Sequence, residues 1–270
     1  MNELRQLLEN KYGKEIVTEL MTIENRVNLE NEKGYGEGQI PVNDHMVKLS
    51  KQDLIDFNVF SSNKEWAFDF PGWIGEFNST GRKVMIIGLE PHIQNNDFQI
   101  TYSFGGDKGD VFNSNHFIWN RLHSLLFSEL TFQEAVKKIY ITDLCHFTPK
   151  GDAKRIKKIP TWSKIRNKIA DKYLKEEINI VNPEIIIAQG GDVFRFLKSR
   201  LKIKNKTHWI PTGYKKPAKY GIYTGTYDGR TVFGIPHIGS EHNLTYNFWE
   251  RKIESVKKII KSELENNKTG

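Results

Sequence analysis

Asn182-Pro183-Glu184-Ile185-Ile186-Ile187-Ala188-Gln189-Gly190-Gly191 is the stretch on which the fold turns. Proline has no N–H to give a helix and biases the residue before it away from helical geometry, so a helix ends at Asn182. The next residues are apolar without alternation, the pattern of a strand buried on both faces, as parallel strands are. Three other apolar runs end in a polar or glycine-rich cluster. Val84-Met85-Ile86-Ile87 leads into Gly88-Leu89-Glu90-Pro91-His92, Ile139-Tyr140-Ile141-Thr142 into Asp143, and Thr231-Val232-Phe233-Gly234-Ile235 into His237-Ile238-Gly239-Ser240. Ligands of open α/β sheets bind beyond the carboxyl ends of the strands. Two carboxylates, a glycine turn and a histidine are therefore expected at one site.

Helical patterns fall between and after these runs, at about 115–128, 131–138, 162–181, 191–201 and 244–265. Thr131 with Glu134 has the spacing of a capping box. Asp228-Gly229 between two β-rich stretches reads as a type I′ hairpin turn. The order predicts an α/β protein, a three-layer αβα sandwich around a mainly parallel four-stranded sheet. Residues 2–31 carry Leu4, Leu7, Leu8, Ile16, Val17 and Leu20 near a helical period, and Gly34, Gly36, Gly38 and Pro41 break it. Trp66, Phe68, Phe70 and Trp73 suggest packing against the main body. The expected division is an N-terminal helical extension over 1–80, packed on a main domain over 81–270.

A hydrophobic content of 38% with 12% aromatics supplies a core for a chain of this length. No run reaches the ~20 apolar residues of a membrane helix, and Met1-Asn2-Glu3-Leu4-Arg5 does not open a signal peptide. The single cysteine, Cys145, excludes an internal disulfide and a multi-cysteine metal or iron–sulfur site. A cytoplasmic, monomeric protein without metal or cofactor is expected. Its net charge of +7 is concentrated: 150–175 holds ten basic and two acidic residues, 195–219 nine basic and no acidic ones. The rest of the chain is net acidic. Basic segments on an acidic body fit a polyanion, of which nucleic acid is the common one. Solvated lysine-rich surfaces are the plainer reading.

These pieces together resemble the uracil-DNA glycosylase superfamily. Gly88-Leu89-Glu90-Pro91-His92 is similar to the family's first motif, and Tyr140 to Gly151 to the strand that ends in a base-reading asparagine and enters a proline–glycine loop. Asn182 to Gly191 resembles the next strand and turn, and His237-Ile238-Gly239-Ser240 the closing histidine motif. The resemblance covers roughly 82–262, in the family's order. It departs from the pattern in carrying Glu90 where members usually carry Asp, Asn or Glu-Ala variants, Asp143 for the asparagine, no proline after His237 and none of the cysteines of the iron–sulfur branches.

The resemblance implies a DNA glycosylase and assigns roles. Hydrolysis of an N-glycosidic bond passes through a cation-like sugar, which a carboxylate can stabilise or attack by way of water. Glu90 takes that part, with a loop glutamate or a helix-capping partner as the plainer reading. His237 donates a hydrogen bond to the departing base, or is a structural histidine. His92 and His146 are nearby candidates. A flipped base also needs a stacking aromatic, and Phe98, Tyr102 and Phe104 lie in the loop where the resemblance puts one; Phe98 and Phe104 are preferred. Asn120 lines the pocket or the surface. Lys150, Lys154, Arg155, Lys157 and Lys158, with Ser240, His242 and Asn243, are candidate DNA-backbone contacts. Ile238 or Leu244 is a candidate wedge for the vacated stack.

Asp143 bears on the substrate. Uracil presents an acceptor and an N–H donor, which an asparagine satisfies together, whereas an ionised aspartate only accepts. Cytosine presents an amino group that an aspartate accepts well. A cytosine-type base is inferred. Because excision of plain cytosine would destroy host DNA, the expected target is a modified cytosine, such as 5-hydroxymethylcytosine or its glucosylated form, which suggests antiphage defence. Pairing of Asp143 with a lysine, or a protonated Asp143 reading uracil, stays open. So do a repair glycosylase for uracil or deaminated bases and a non-catalytic nucleic-acid-binding protein. No G-x-G-x-x-G, P-loop or H-E-x-x-H pattern supports an unrelated nucleotide enzyme or a metallohydrolase.

Overall fold

The computed structural model describes residues 3, 6, 7, 9, 10, 66–68, 84–89, 117–131, 135, 138–145, 147–149, 162–211, 219–238 and 243–268. Its strands are β1 (Trp66–Phe68), β2 (Val84–Gly88), β3 (Ile139–Asp143), β4 (Phe147–Pro149), β5 (Ile185–Gln189), β6 (Asn205–Pro211), β7 (Lys219–Tyr227) and β8 (Arg230–Ile235). Its helices are α1 (Phe117–Leu126), α2 (Trp162–Val181), α3 (Gly191–Arg200) and α4 (Asn243–Lys268). Contacts divide the chain into two compact units: 1–78 with 89–111 and 141–182, and 79–88 with 112–140 and 183–270.

Six strands form one sheet in the order β3-β2-β5-β8-β7-β6. β2 pairs parallel with β5, and β5 parallel with β8. β3 runs the same way as β2, because the Val84 N–H donates to Lys138 C=O at the start (3.1 Å) and the Cys145 N–H to Leu89 C=O at the end (3.3 Å). Every residue of β2 is buried, as are the first four of β5, which is why these runs read as unbroken apolar stretches.

The expected four-stranded sheet is thus the parallel part of a six-stranded one, and β6 and β7 extend it antiparallel. β7 and β8 form the hairpin anticipated at Asp228-Gly229, with φ of 47° and 75° at those two residues, the left-handed pair that a type I′ turn demands. β6 escapes a sequence reading because its basic residues look like solvated surface. In the sheet it is an edge strand whose Ile210 alone is fully buried, and lysines on an edge deter pairing with another chain.

Within the second unit, helices cover both faces of the sheet. Phe194 of α3 lies against Gly234 of β8, where an added Cβ would stand 2.6 Å from its ring, and it stacks on Tyr223 of β7 (4.7 Å between centroids). Thr207 is the cross-strand partner of Tyr223, so it shares this face, while Lys206 and His208 project from the other and reach Glu263 of α4. α1 packs on α4, which buries Phe248, Trp249, Val256 and Ile260. Helices on both sides of a central sheet make the α/β sandwich.

In the first unit, β1 and β4 form a separate antiparallel pair, Trp66 opposite Pro149 and Phe68 opposite Phe147. The aromatic segment near residue 66 therefore backs the strand that runs into Lys150. α2 spans the residues expected of it and ends at Asn182, left-handed at φ 45°, just before the proline. Of the expected N-terminal helix, residues 3, 6, 7, 9 and 10 are helical and Leu7 is buried. The rest of 2–31 lies outside the described residues.

Candidate active site

Each unit carries candidate residues at the ends of its strands. In the first, β3 ends at Asp143, which is half-buried. Thr142 just before it donates its hydroxyl to Glu177 Oε1 of α2 at 2.9 Å, and both residues are buried. That bond fastens the end of β3 to α2 and so fixes the backbone from which Asp143 projects. The turn after Asp143 is tied to the turn that leads into Glu90 by the Cys145-to-Leu89 hydrogen bond. The backbone at Leu89, one residue before Glu90 in sequence, is thus joined to the turn after Asp143.

In the second unit, β5 ends in Gln189 and turns through Gly190, whose φ of 94° disfavours any side chain. The Gly190 N–H donates to Ile235 C=O at 2.7 Å, which binds this turn to the end of β8. Beyond β8, Pro236 is buried, His237 is exposed and Ile238 is wholly buried. Three side chains hold this turn. Gln189 Oε1 accepts from the Ile238 N–H (3.3 Å), Arg121 Nη1 donates to Ile238 C=O (2.7 Å), and Trp249 Nε1 donates to His237 C=O (3.2 Å). Arg121, 5% exposed, also pairs with Glu250 at 3.1 Å. The backbone of His237 is clamped on both sides while the residue itself faces outward. A side chain that must meet a ligand needs this combination of fixed position and access.

The burial of Ile238 removes it as a wedge for a vacated base stack, since its side chain is spent in the core. Leu244 has no described side chain, and neither has Asn243, the first residue of α4. Asn120 is exposed on α1. Glu90, His92, Phe98, Tyr102, Phe104, His146, Lys150, Lys154, Arg155, Lys157, Lys158, Ser240 and His242 lie outside the described residues.

Sequence reasoning missed Arg121 and Glu177, although both left a signal. Arg121 stands in the helical stripe that Leu122 and Leu125 continue, and Glu177 in the stripe of Ala170, Tyr173, Leu174, Ile178 and Val181. A charged residue at a core position of an amphipathic helix must find a partner inside. Each here finds one at the end of a strand.

Among the described residues, no group of three His, Cys, Asp or Glu is placed to hold a metal ion. Nor is any helix among them long and apolar enough to cross a membrane.

A sheet whose parallel strands end in a glycine turn and a clamped histidine in the second unit, with a carboxylate at a strand end in the first, has the α/β architecture in which ligands are met at the carboxyl ends of strands. The family model of the uracil DNA glycosylase superfamily matches residues 74–259, and the chain belongs to that superfamily. Its members are in general DNA glycosylases, hydrolases of the bond between base and sugar, and DNA is their partner. No curated protein matches the chain significantly.

Proposed function

We propose that this protein is a DNA glycosylase that hydrolyses the N-glycosidic bond of a flipped, modified cytosine, leaving an abasic site. Glu90 stabilises the cationic sugar or directs water at its anomeric carbon. His237 donates a hydrogen bond to the base as it leaves with the bonding electrons. Asp143 accepts from the exocyclic amine. Phe98 or Phe104 stacks on the base, with His92 and Asn120 beside it. Lys150, Lys154, Arg155, Lys157, Lys158, Ser240, His242 and Asn243 hold the DNA backbone. Residues 81–270 act as the catalytic domain and 1–80 as an extension, whose β1 supports β4.

The observation that carries the choice of base is the carboxylate at the end of β3, where the resemblance puts a base-reading amide. An acceptor-only group there suits an amine and mismatches the N3–H face of uracil. A modified cytosine of the kind found in phage genomes makes the activity compatible with an unmodified host chromosome, and antiphage defence follows as the biological setting. The test is a panel of single- and double-stranded oligonucleotides bearing uracil, 5-hydroxymethylcytosine or glucosylated 5-hydroxymethylcytosine, read by alkaline cleavage at the abasic site. Release of an aminated base supports the reading, and release of uracil alone overturns it. The second reading, repair of uracil or other deaminated bases, is favoured by the superfamily match itself, and the same panel separates the two.

A further inference from the structure

Trp209 is the exposed large apolar residue among those described, at 55% exposure. It sits on β6, the last strand of the sheet, and Lys219 of β7 holds its ammonium 4.7 Å from the ring centroid. Neither β6 nor β7 contains an acidic residue, and the segment 195–219 that includes Trp209 has nine basic residues and no acidic one.

The sheet register locates this pair. Trp209 lies opposite Gly221, and Tyr223 opposite Gly234. Carried two residues further, the β7–β8 register sets Gly221 level with Pro236, next to His237. Trp209 is therefore at the edge of the sheet where β5 and β8 end, two strand spacings or about 10 Å to the side of the His237 turn. It shares the α3 face with Tyr223, because alternate residues of β6 share a face and Thr207 is the partner of Tyr223. The Tyr223 ring crowds the Cα of Gly221, where a Cβ would stand 3.2 Å from it. Phe194, Tyr223 and Trp209 thus succeed one another from buried to exposed.

We propose that Trp209 and Lys219 form a second nucleic-acid subsite, a platform on which an unpaired DNA base stacks outside the catalytic pocket. The platform holds the strand on one flank of the flipped nucleotide. The indole offers a π-face to any base, and Lys219 supplies a cation for the adjoining phosphate. A distance of about 10 Å is roughly three stacked nucleotides at 3.4 Å each, so one strand can occupy both places. This subsite rests on the reading of the chain as a DNA glycosylase, but its own test needs only binding.

The full-length chain is titrated with a fluorescently labelled single-stranded oligonucleotide of unmodified bases, followed by anisotropy, for wild type, Trp209→Ala, Trp209→Phe and Lys219→Ala. Loss of one stacked base at Trp209→Ala weakens binding about fivefold to a hundredfold, and Trp209→Phe retains most of the affinity. Lys219→Ala lowers the slope of log affinity against log salt by about one. Wild-type affinity in Trp209→Ala overturns the subsite and leaves the glycosylase reading standing. A wild-type chain that binds no DNA overturns both. If Trp209→Ala binds DNA like wild type but lowers the mass of the free protein in sedimentation, the edge of β6 joins two copies of the chain and the subsite is overturned.

Discussion

The proposed function gives Asp143 and Glu90 separable tasks, so single substitutions at them should give different outcomes. Asp143→Asn restores a group that both donates and accepts, and the ratio of uracil release to release of an aminated base should rise about tenfold or more in single-turnover assays. Glu90→Gln keeps the shape of the side chain and removes its charge. Base release should fall at least about a hundredfold while anisotropy shows DNA affinity within a few-fold of wild type. Parallel loss of both signals would mark Glu90 as a binding or structural residue. Glu90 lies outside the described residues. The place of Asp143 at a strand end was legible in the sequence because it follows an apolar run. Glu177 was not, since its role depends on Thr142, 35 residues earlier in the chain, and only the fold brings that pair together.

The turns after the strands are held by a few contacts remote in sequence. Arg121→Ala removes the donor to Ile238 C=O and the partner of Glu250. It should cost about 1–3 kcal/mol in denaturant unfolding, and it should slow base release about tenfold with little change in DNA affinity, because it loosens the His237 turn. A rate change no larger than the wild-type error, with stability lost, would leave Arg121 a purely structural residue. Gly234→Ala is a control for packing away from chemistry: the new methyl meets the Phe194 ring, and the expected loss is about 1–3 kcal/mol. The parallel strands and the helices were readable from the sequence because burial on both faces, or on one stripe, writes an unambiguous period. β6 was not, because Asn205-Lys206-Thr207-His208 is polar throughout, only Ile210 of the strand is buried, and the stretch lies in a lysine-rich segment that resembles charged surface. The threefold clamp on 237–238 was equally invisible, since Gln189, Arg121 and Trp249 meet only through the sheet and its covering helices.

For the molecule as a whole, the uneven charge sets how it meets its partner. With its basic residues concentrated in 150–175 and 195–219, affinity for DNA should fall about a thousandfold or more between 50 and 200 mM salt if six or more phosphates are contacted. Flat salt dependence would leave these segments as solvated surface. Fold and family follow from the pattern of strands and their ends; the proposed base rests on one carboxylate, and the experiment that tests it most directly is base release under single-turnover conditions from matched oligonucleotides carrying uracil, 5-hydroxymethylcytosine and its glucosylated form, each run with wild type and Glu90→Gln. Wild type should liberate a cytosine-type base faster than uracil, with Glu90→Gln silent on both. Liberation of uracil alone, or of no base at all, would contradict that assignment.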